Sequence, residues 1–390
     1  MTVTVKSKKE YALSKSFCLL KAFLFLACFN ASSVAAIQTL GDIAIYLSIV
    51  LTALTVLFCN KYVILSKYHI VLTVYAGICL FGGLFTGISF SMISQILLIT
   101  WISVYATILG AKVILNGVAQ ILAAILLFCF IDIVIFRFSG FAPLFGNPNR
   151  IGIIGFLCFA TGFLWKVKFR RILAVVGFLI ILLSGARTPL LVLLVGGIIY
   201  LFLKRQTFIG NAKVIFLLFC ICGTLIVAFY INAQNYKFMI SLNEMILNLT
   251  GKNLFSGRQV IWASIFNNYD INKLILGYGL NFNMTGLIGN GLSAHNQFIQ
   301  VLVQQGLVGL FLWAAILYSL YVTAFKNGRK KLSIFIIMII MYNLFEVFLL
   351  QNHFALGVIV WLILFANDGA CKPTKKKKAM LCSKVASTVV

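Results

Sequence analysis

The chain has 390 residues, of which 62% are hydrophobic and only 10% charged, a composition that excludes an ordinary soluble globular domain and matches a polytopic membrane protein. A formal charge of +25 raises the idea of nucleic acid binding, but the 32 basic residues are parcelled into short clusters between apolar stretches, as in membrane-protein loops. Most of the ten cysteines sit inside apolar runs as small hydrophobes, and no metal-binding spacing emerges from them.

Apolar segments of membrane-crossing length recur along the chain, at about 17–36, 43–59, 68–88, 92–110, 114–136, 151–165, 172–186, 189–203, 213–231, 296–325, 332–350 and 354–366. They predict an all-α membrane protein of about 12 transmembrane helices in a single domain. The first segment also resembles a signal peptide, with Lys15 before an apolar core and Ser33-Val34-Ala35 as a small-residue site; we expect it to be retained as a span. With the N-terminus inside, 25 basic residues fall on the cytoplasmic side and 7 outside, which fixes the orientation. Residues 232–294 then form one large extracytoplasmic loop between the ninth and tenth spans, with short helices expected at 241–249 and 259–266. Residues 367–390 form a basic cytoplasmic tail whose lysines suit anionic headgroups. No internal repeat of the kind carried by many transporters is evident.

Chemistry-bearing residues gather toward the outer side. Arg187 stands at the end of the seventh segment, between Ser184-Gly185-Ala186 and Thr188-Pro189. An arginine at membrane depth costs roughly 2.5–3.5 kcal/mol on insertion scales, so it needs a partner or a function unless it snorkels to the interface. Arg150 closes Phe145-Gly146-Asn147-Pro148-Asn149, a turn and helix cap, and adds positive charge at the same face. Arg258 lies in the loop. His295, with Ser293 as the expected N-cap, would sit in the first helical turn as a neutral ring able to accept a proton. Gly306 and Gly309 fall within about 40° of it on a helical wheel and would clear space for a neighbouring helix. His353 is a second candidate, and Glu346, in the eleventh segment, calls for a cation as partner.

Only seven acidic residues exist and no two are close enough in sequence for a DxD-like metal site. Phosphate chemistry on this chain would rest on arginines rather than magnesium, and no nucleotide loop, nucleophile elbow or zinc spacing occurs.

Together, Asn147-Pro148-Asn149, Leu183-Ser184-Gly185-Ala186-Arg187-Thr188, Gly257-Arg258 with Trp262, Gly277-Tyr278-Gly279, and His295-Asn296 followed by Gly306-Leu307-Val308-Gly309 resemble the O-antigen ligase and O-antigen polymerase superfamily over about residues 140–325. The resemblance implies a metal-independent, inverting glycosyltransferase of the bacterial inner (plasma) membrane, without cofactor. Its donor would be a glycan on undecaprenyl diphosphate, its acceptor a polysaccharide or lipid A core, and its surroundings membrane lipid, with room for a chain-length regulator and no nucleic acid. By position, Arg187 and Arg258, with Arg150, would hold the diphosphate, and His295 would act near the acceptor. Asn296, Tyr278 and Trp262 would contact acceptor or sugar. The residues agree on their own chemistry: a diphosphate leaving group needs charge stabilisation, and an acceptor hydroxyl benefits from a neutral imidazole. A polymerase is favoured over a ligase; the rival of another class is a lipid-linked oligosaccharide flippase, which would need polar residues at midplane and access from both faces.

Overall fold

The computed structural model of the protein describes residues 2–58, 65–87, 89–136, 143–204, 212–251, 253–289 and 293–366. The tail 367–390, Arg137, Lys252, Gly291 and parts of the basic clusters at 59–64 and 205–211 lie outside these described residues. Among the described residues the regular elements are helices: α1 (Thr2–Ala27), α2 (Ala35–Phe58), α3 (Lys67–Thr86), α4 (Phe90–Leu109), α5 (Ala111–Phe136), α6 (Pro148–Leu164), α7 (Arg170–Ser184), α8 (Arg187–Lys204), α9 (Ala212–Asn232), α10 (Lys237–Thr250), α11 (Arg258–Asn267), α12 (Thr285–Ile288), α13 (Gln297–Lys326), α14 (Lys330–Asn343) and α15 (Phe354–Phe365). Each apolar segment read from the sequence carries a helix. Among the described residues, six helices, α2, α3, α4, α5, α9 and α13, are long and apolar enough to cross a membrane by length and composition; α6, α8 and α15 are shorter apolar helices.

The centre is made by α14 and α15. From Leu332 to Asn343 and from Phe354 to Phe365 every residue is buried, as expected of helices apolar all round. Around them, α4, α5 and α6 pack on α15, while α8 and α13 pack on α14. The α6/α7 pair is the tightest in the bundle because Gly155 and Gly177 face each other: a Cβ on Gly155 would lie 3.0 Å from the Gly177 carbonyl oxygen.

Two departures from the sequence reading shape the site. The eleventh apolar segment, expected as one helix over 332–350, stops at Asn343, and residues 344–353 run as irregular chain before α15. Asn343 Nδ2 donates to the Ile339 carbonyl at 2.7 Å, supplying that acceptor from a side chain where the helix ends. The second departure is in α13, which breaks at Gly306 (φ 64°, ψ −164°). Here Leu307 N donates to Leu274 O at 2.8 Å and Val308 N to Ile275 O at 3.2 Å, while Tyr278 N and Gly279 N donate to Val303 O and Gln304 O. The glycine therefore admits the loop strand 274–279 into the helix backbone instead of clearing room for a neighbouring helix. The expected loop helices are present as α10 and α11.

The Gly306 conformation is open essentially to glycine alone, and a Cβ there would meet the Ile275 carbonyl oxygen. Gly306→Ala should therefore destabilise the protein by about 1–3 kcal/mol or more, whereas Gly197→Ala, in α8 with open space around it, should be neutral. Thermal unfolding of the two variants in detergent checks the contrast.

Candidate active site

Two cavities meet at His295. One, of about 510 Å³, is lined by the α7–α8 turn with Arg187, by Pro148 and Asn149 of α6, and by Asn253, Ser256 and Arg258. The other, of about 740 Å³, is lined by the connections α1–α2, α3–α4, α5–α6 and α14–α15 and by the start of α13. His295 lines both. Counted over the twelve apolar segments, each of these connections joins an odd-numbered segment to the next, so the site occupies one end of the molecule. A third cavity, with Arg329, Lys330 and Lys331, lies where the intervening connections meet at the far end of α13.

The two main cavities differ in chemistry. The smaller holds two guanidinium groups. Arg187 Nη1 donates to the Asn253 carbonyl at 2.9 Å. The Nε and Nη2 of Arg258 both reach the Phe345 carbonyl, at 3.2 and 2.9 Å, and Nη2 also pairs with Glu346 Oε1 at 2.9 Å. The larger cavity has no lysine or arginine among its described lining residues; it presents neutral groups such as Asn30, Gln95, Gln300, Gln304 and Gln351, together with Glu346 and His353.

Glu346 connects the two. Its second oxygen, Oε2, lies 3.4 Å from His295 Nδ1, so Arg258, Glu346 and His295 form a chain. The glutamate side chain is 5% exposed and the histidine 28%, which makes the histidine the reachable end. A carboxylate on Nδ1 fixes the tautomer and leaves Nε2 to exchange a proton, as in hydrolase triads. The backbone holds this geometry under strain: His295 (φ 47°), Gln351 (φ 65°) and Ser256 (φ 54°) all lie in the left-handed region and all line the cavities.

The sequence places His295 in the first turn of α13 with Ser293 as cap; the structure places it one residue before the N-cap and two before the helix. Asn296 is the N-cap, its Oδ1 accepting from Phe298 N at 2.9 Å and Ile299 N at 3.1 Å, while Ser293 Oγ accepts from His295 N. Asn296 is fully buried and lines neither cavity. Trp262, expected on a sugar face, is also fully buried and donates from Nε1 to Ala294 O at 2.7 Å, tying down the residue before the histidine. Tyr278 stacks on Phe282 at 4.4 Å and its hydroxyl accepts from Asp270 N; Phe282, not Tyr278, reaches the larger cavity.

Arg150 is not brought together with the other two arginines. It is fully buried behind the larger cavity, donating to Cys28 O at 3.1 Å and Asn30 Oδ1 at 2.5 Å. That geometry positions the α1–α2 turn, and through Asn30 one wall of the cavity. Residues missed by sequence reasoning are Glu346's partnership with His295 and the glutamines. Gln300 and Gln304, four apart on one face of an apolar helix, were a readable signal of a polar lumen.

Residues 172–314 match the family model described as O-antigen ligase, which supports the resemblance to the O-antigen ligase and polymerase superfamily over that part of the chain. The match contains Arg187, Arg258 and His295; Glu346 and His353 lie beyond it. No curated protein matches the chain.

His353 offers a pH test of the larger cavity. Its Nδ1 is buried without a partner, and burial first, then the positive charge of Arg150, pushes its pKa down to about 4 from 6.5. Below 6.5 the unfolded chain takes up a proton there that the folded chain refuses, so the protein should lose stability as the pH falls from 6.5 towards 4. His353→Asn should flatten that decline, read as melting temperature against pH for the two proteins.

Proposed function

Taking residues 172–314 as an O-antigen ligase domain, we propose that the protein is a membrane glycosyltransferase that polymerises lipid-linked polysaccharide repeat units on the extracytoplasmic side of the inner membrane. About twelve helices would span the bilayer, with the site end outward and the basic connections inward. The observation that carries this reading is the placement of His295 between a cavity holding two arginines and a polar one with no lysine or arginine among its described lining residues.

In the proposed reaction the diphosphate of an undecaprenyl-diphosphate glycan lies in the smaller cavity, against Arg187 and Arg258. The acceptor sugar occupies the larger one and presents a hydroxyl to His295 Nε2. Nε2 removes the hydroxyl proton as the oxygen attacks the anomeric carbon; the bond from that carbon to the phosphate oxygen breaks, and the electron pair leaves with the diphosphate. Attack opposite the leaving group inverts the anomeric configuration. Glu346 stabilises the imidazolium that forms, and the guanidinium groups stabilise the departing charge without requiring a metal. Asn296, Trp262 and Arg150 act as positioning residues for His295 and the cavity wall, and Tyr278 for the loop.

That the larger cavity has no lysine or arginine among its described lining residues favours a polymerase over a ligase, since an acceptor core bearing phosphate or carboxylate groups would call for cations there. Purified protein incubated with lipid-linked repeat units alone tests this. Chain lengthening without a second acceptor is the expected result; transfer only when lipid A core is added would make it a ligase, and no new glycosidic bond with either would leave the flippase.

Two substitutions separate the roles. Arg187→Lys should lose most activity although charge is kept, because one ammonium cannot reproduce a planar bidentate fork on two phosphate oxygens. His295→Ala should lower turnover by roughly 10²–10⁴-fold while leaving donor affinity near the parent value. Steady-state turnover beside donor binding checks both, and a His295→Ala protein that binds donor poorly but reacts normally once bound would move the base elsewhere, with His353 next in line.

A further inference from the structure

The long connection between α9 and α13 exposes more apolar surface than a water-facing loop should carry. On α10, Phe238 is 73% exposed, Met245 52% and Leu249 76%, and the three fall within about 40° of one another on the helical wheel. Lys237, Ser241, Glu244 and Asn248 occupy a separate polar arc about 60° wide. A second patch lies on the segment after α11, where Ile271, Ile275 and Leu276 are 71%, 64% and 70% exposed.

Both patches continue the surfaces of helices long and apolar enough to cross a membrane. α10 starts five residues after α9, a candidate span almost none of which is buried against protein, and Tyr236 marks the join as an aromatic suited to the interface. The second patch is stitched by main-chain bonds to Leu307 and Val308, ten and eleven residues beyond the start of the candidate span α13. Beside it on that helix, Leu307 and Phe311 are 46% and 72% exposed. Patches this large are rarely left to water.

We propose that the α9–α13 connection docks onto the membrane, with acyl chains of the adjacent leaflet covering Phe238, Met245 and Leu249 on α10 and Ile271, Ile275 and Leu276 on the second patch. The docking reaches the arginine cavity through two bonds. Asn243 of α10 accepts from Leu254 N at 2.7 Å, and the neighbouring Asn253 carbonyl accepts from Arg187. The membrane-seated helix thereby sets the height of the guanidinium groups, at the level where a lipid carries its phosphates. This last step rests on the proposed lipid-linked donor; the docking itself does not.

The test uses the full chain in phospholipid nanodiscs, with a photoreactive benzophenone amino acid replacing Phe238, Leu249 or Leu276, and Ser241 or Asn248 as controls. Irradiation should give phospholipid adducts by mass spectrometry at the first three positions and none at the controls. Crosslinks to a second copy of the chain, or no lipid adduct at the apolar positions, would overturn the docking. With the lipid-linked donor, the double variant Phe238→Ser/Leu249→Ser should raise KM about tenfold or more with turnover at saturation nearly unchanged. An unchanged KM alongside lipid adducts would overturn the coupling to the arginine cavity, and an absence of any transferase activity in the parent protein would count against the proposed reaction while leaving the adduct result to decide the docking.

Discussion

The site depends on how the irregular chain between α14 and α15 is satisfied. Residues 344–350 are buried at the heart of the bundle, and their amides and carbonyls have no continuous helix to pair with. Bare peptide groups in such surroundings cost several kcal/mol each, so the break survives only because other helices supply partners. Gln297 accepts from Leu350 N, Gln95 from Gln351 N, Trp361 donates to Leu349 O, and Arg258 donates twice to Phe345 O. The groups that make the break tolerable are those that bring α11, α13 and α4 to the same place. Glu346 is carried with them to within reach of both Arg258 and His295. An unbroken helix over 332–350 would leave Arg258 without its acceptors and His295 without its carboxylate.

A single carboxylate between an arginine and a histidine also divides the electrostatics of the two cavities. Arg258 spends part of its fork on Glu346, and Arg187 is held by a neutral carbonyl, so the smaller cavity keeps a net positive character suited to an anion. On the other side the same carboxylate faces a lining of amides, hydroxyls and the imidazoles of His295 and His353. The larger cavity recognises a ligand by hydrogen-bond geometry, and its wall adapts through side chains such as Gln351, whose Nε2 donates to Gln304 Oε1.

The positions of the helices were legible because long apolar runs punctuated by basic clusters leave few alternatives. Arg187, Arg258 and His295 were legible for the opposite reason, as charge or imidazole where hydropathy predicts none. The break after Asn343 was not: Leu344-Phe345-Glu346-Val347-Phe348-Leu349-Leu350 is as apolar as the helix before it, and hydropathy does not register backbone geometry. Nor could the sequence tell which polar residues serve substrate and which serve the fold. Arg150 finds Cys28 and Asn30 some 120 residues away, and Trp262 finds the Ala294 carbonyl; both partnerships are made by tertiary packing that no local pattern announces. His295 and Glu346 are 51 residues apart and meet only through the same packing.

The join between the loop strand 274–279 and the break in α13 is made by main-chain atoms on both sides. Peptide groups are the same whatever side chain they carry, so this fastening places almost no demand on residue identity except where backbones touch, at Gly277 and Gly306. The residues between can drift in size and polarity without changing register. A lineage built on this scaffold could therefore remodel the outer loop for a new sugar while the histidine, eleven residues before the second of those glycines, stays aligned with its carboxylate.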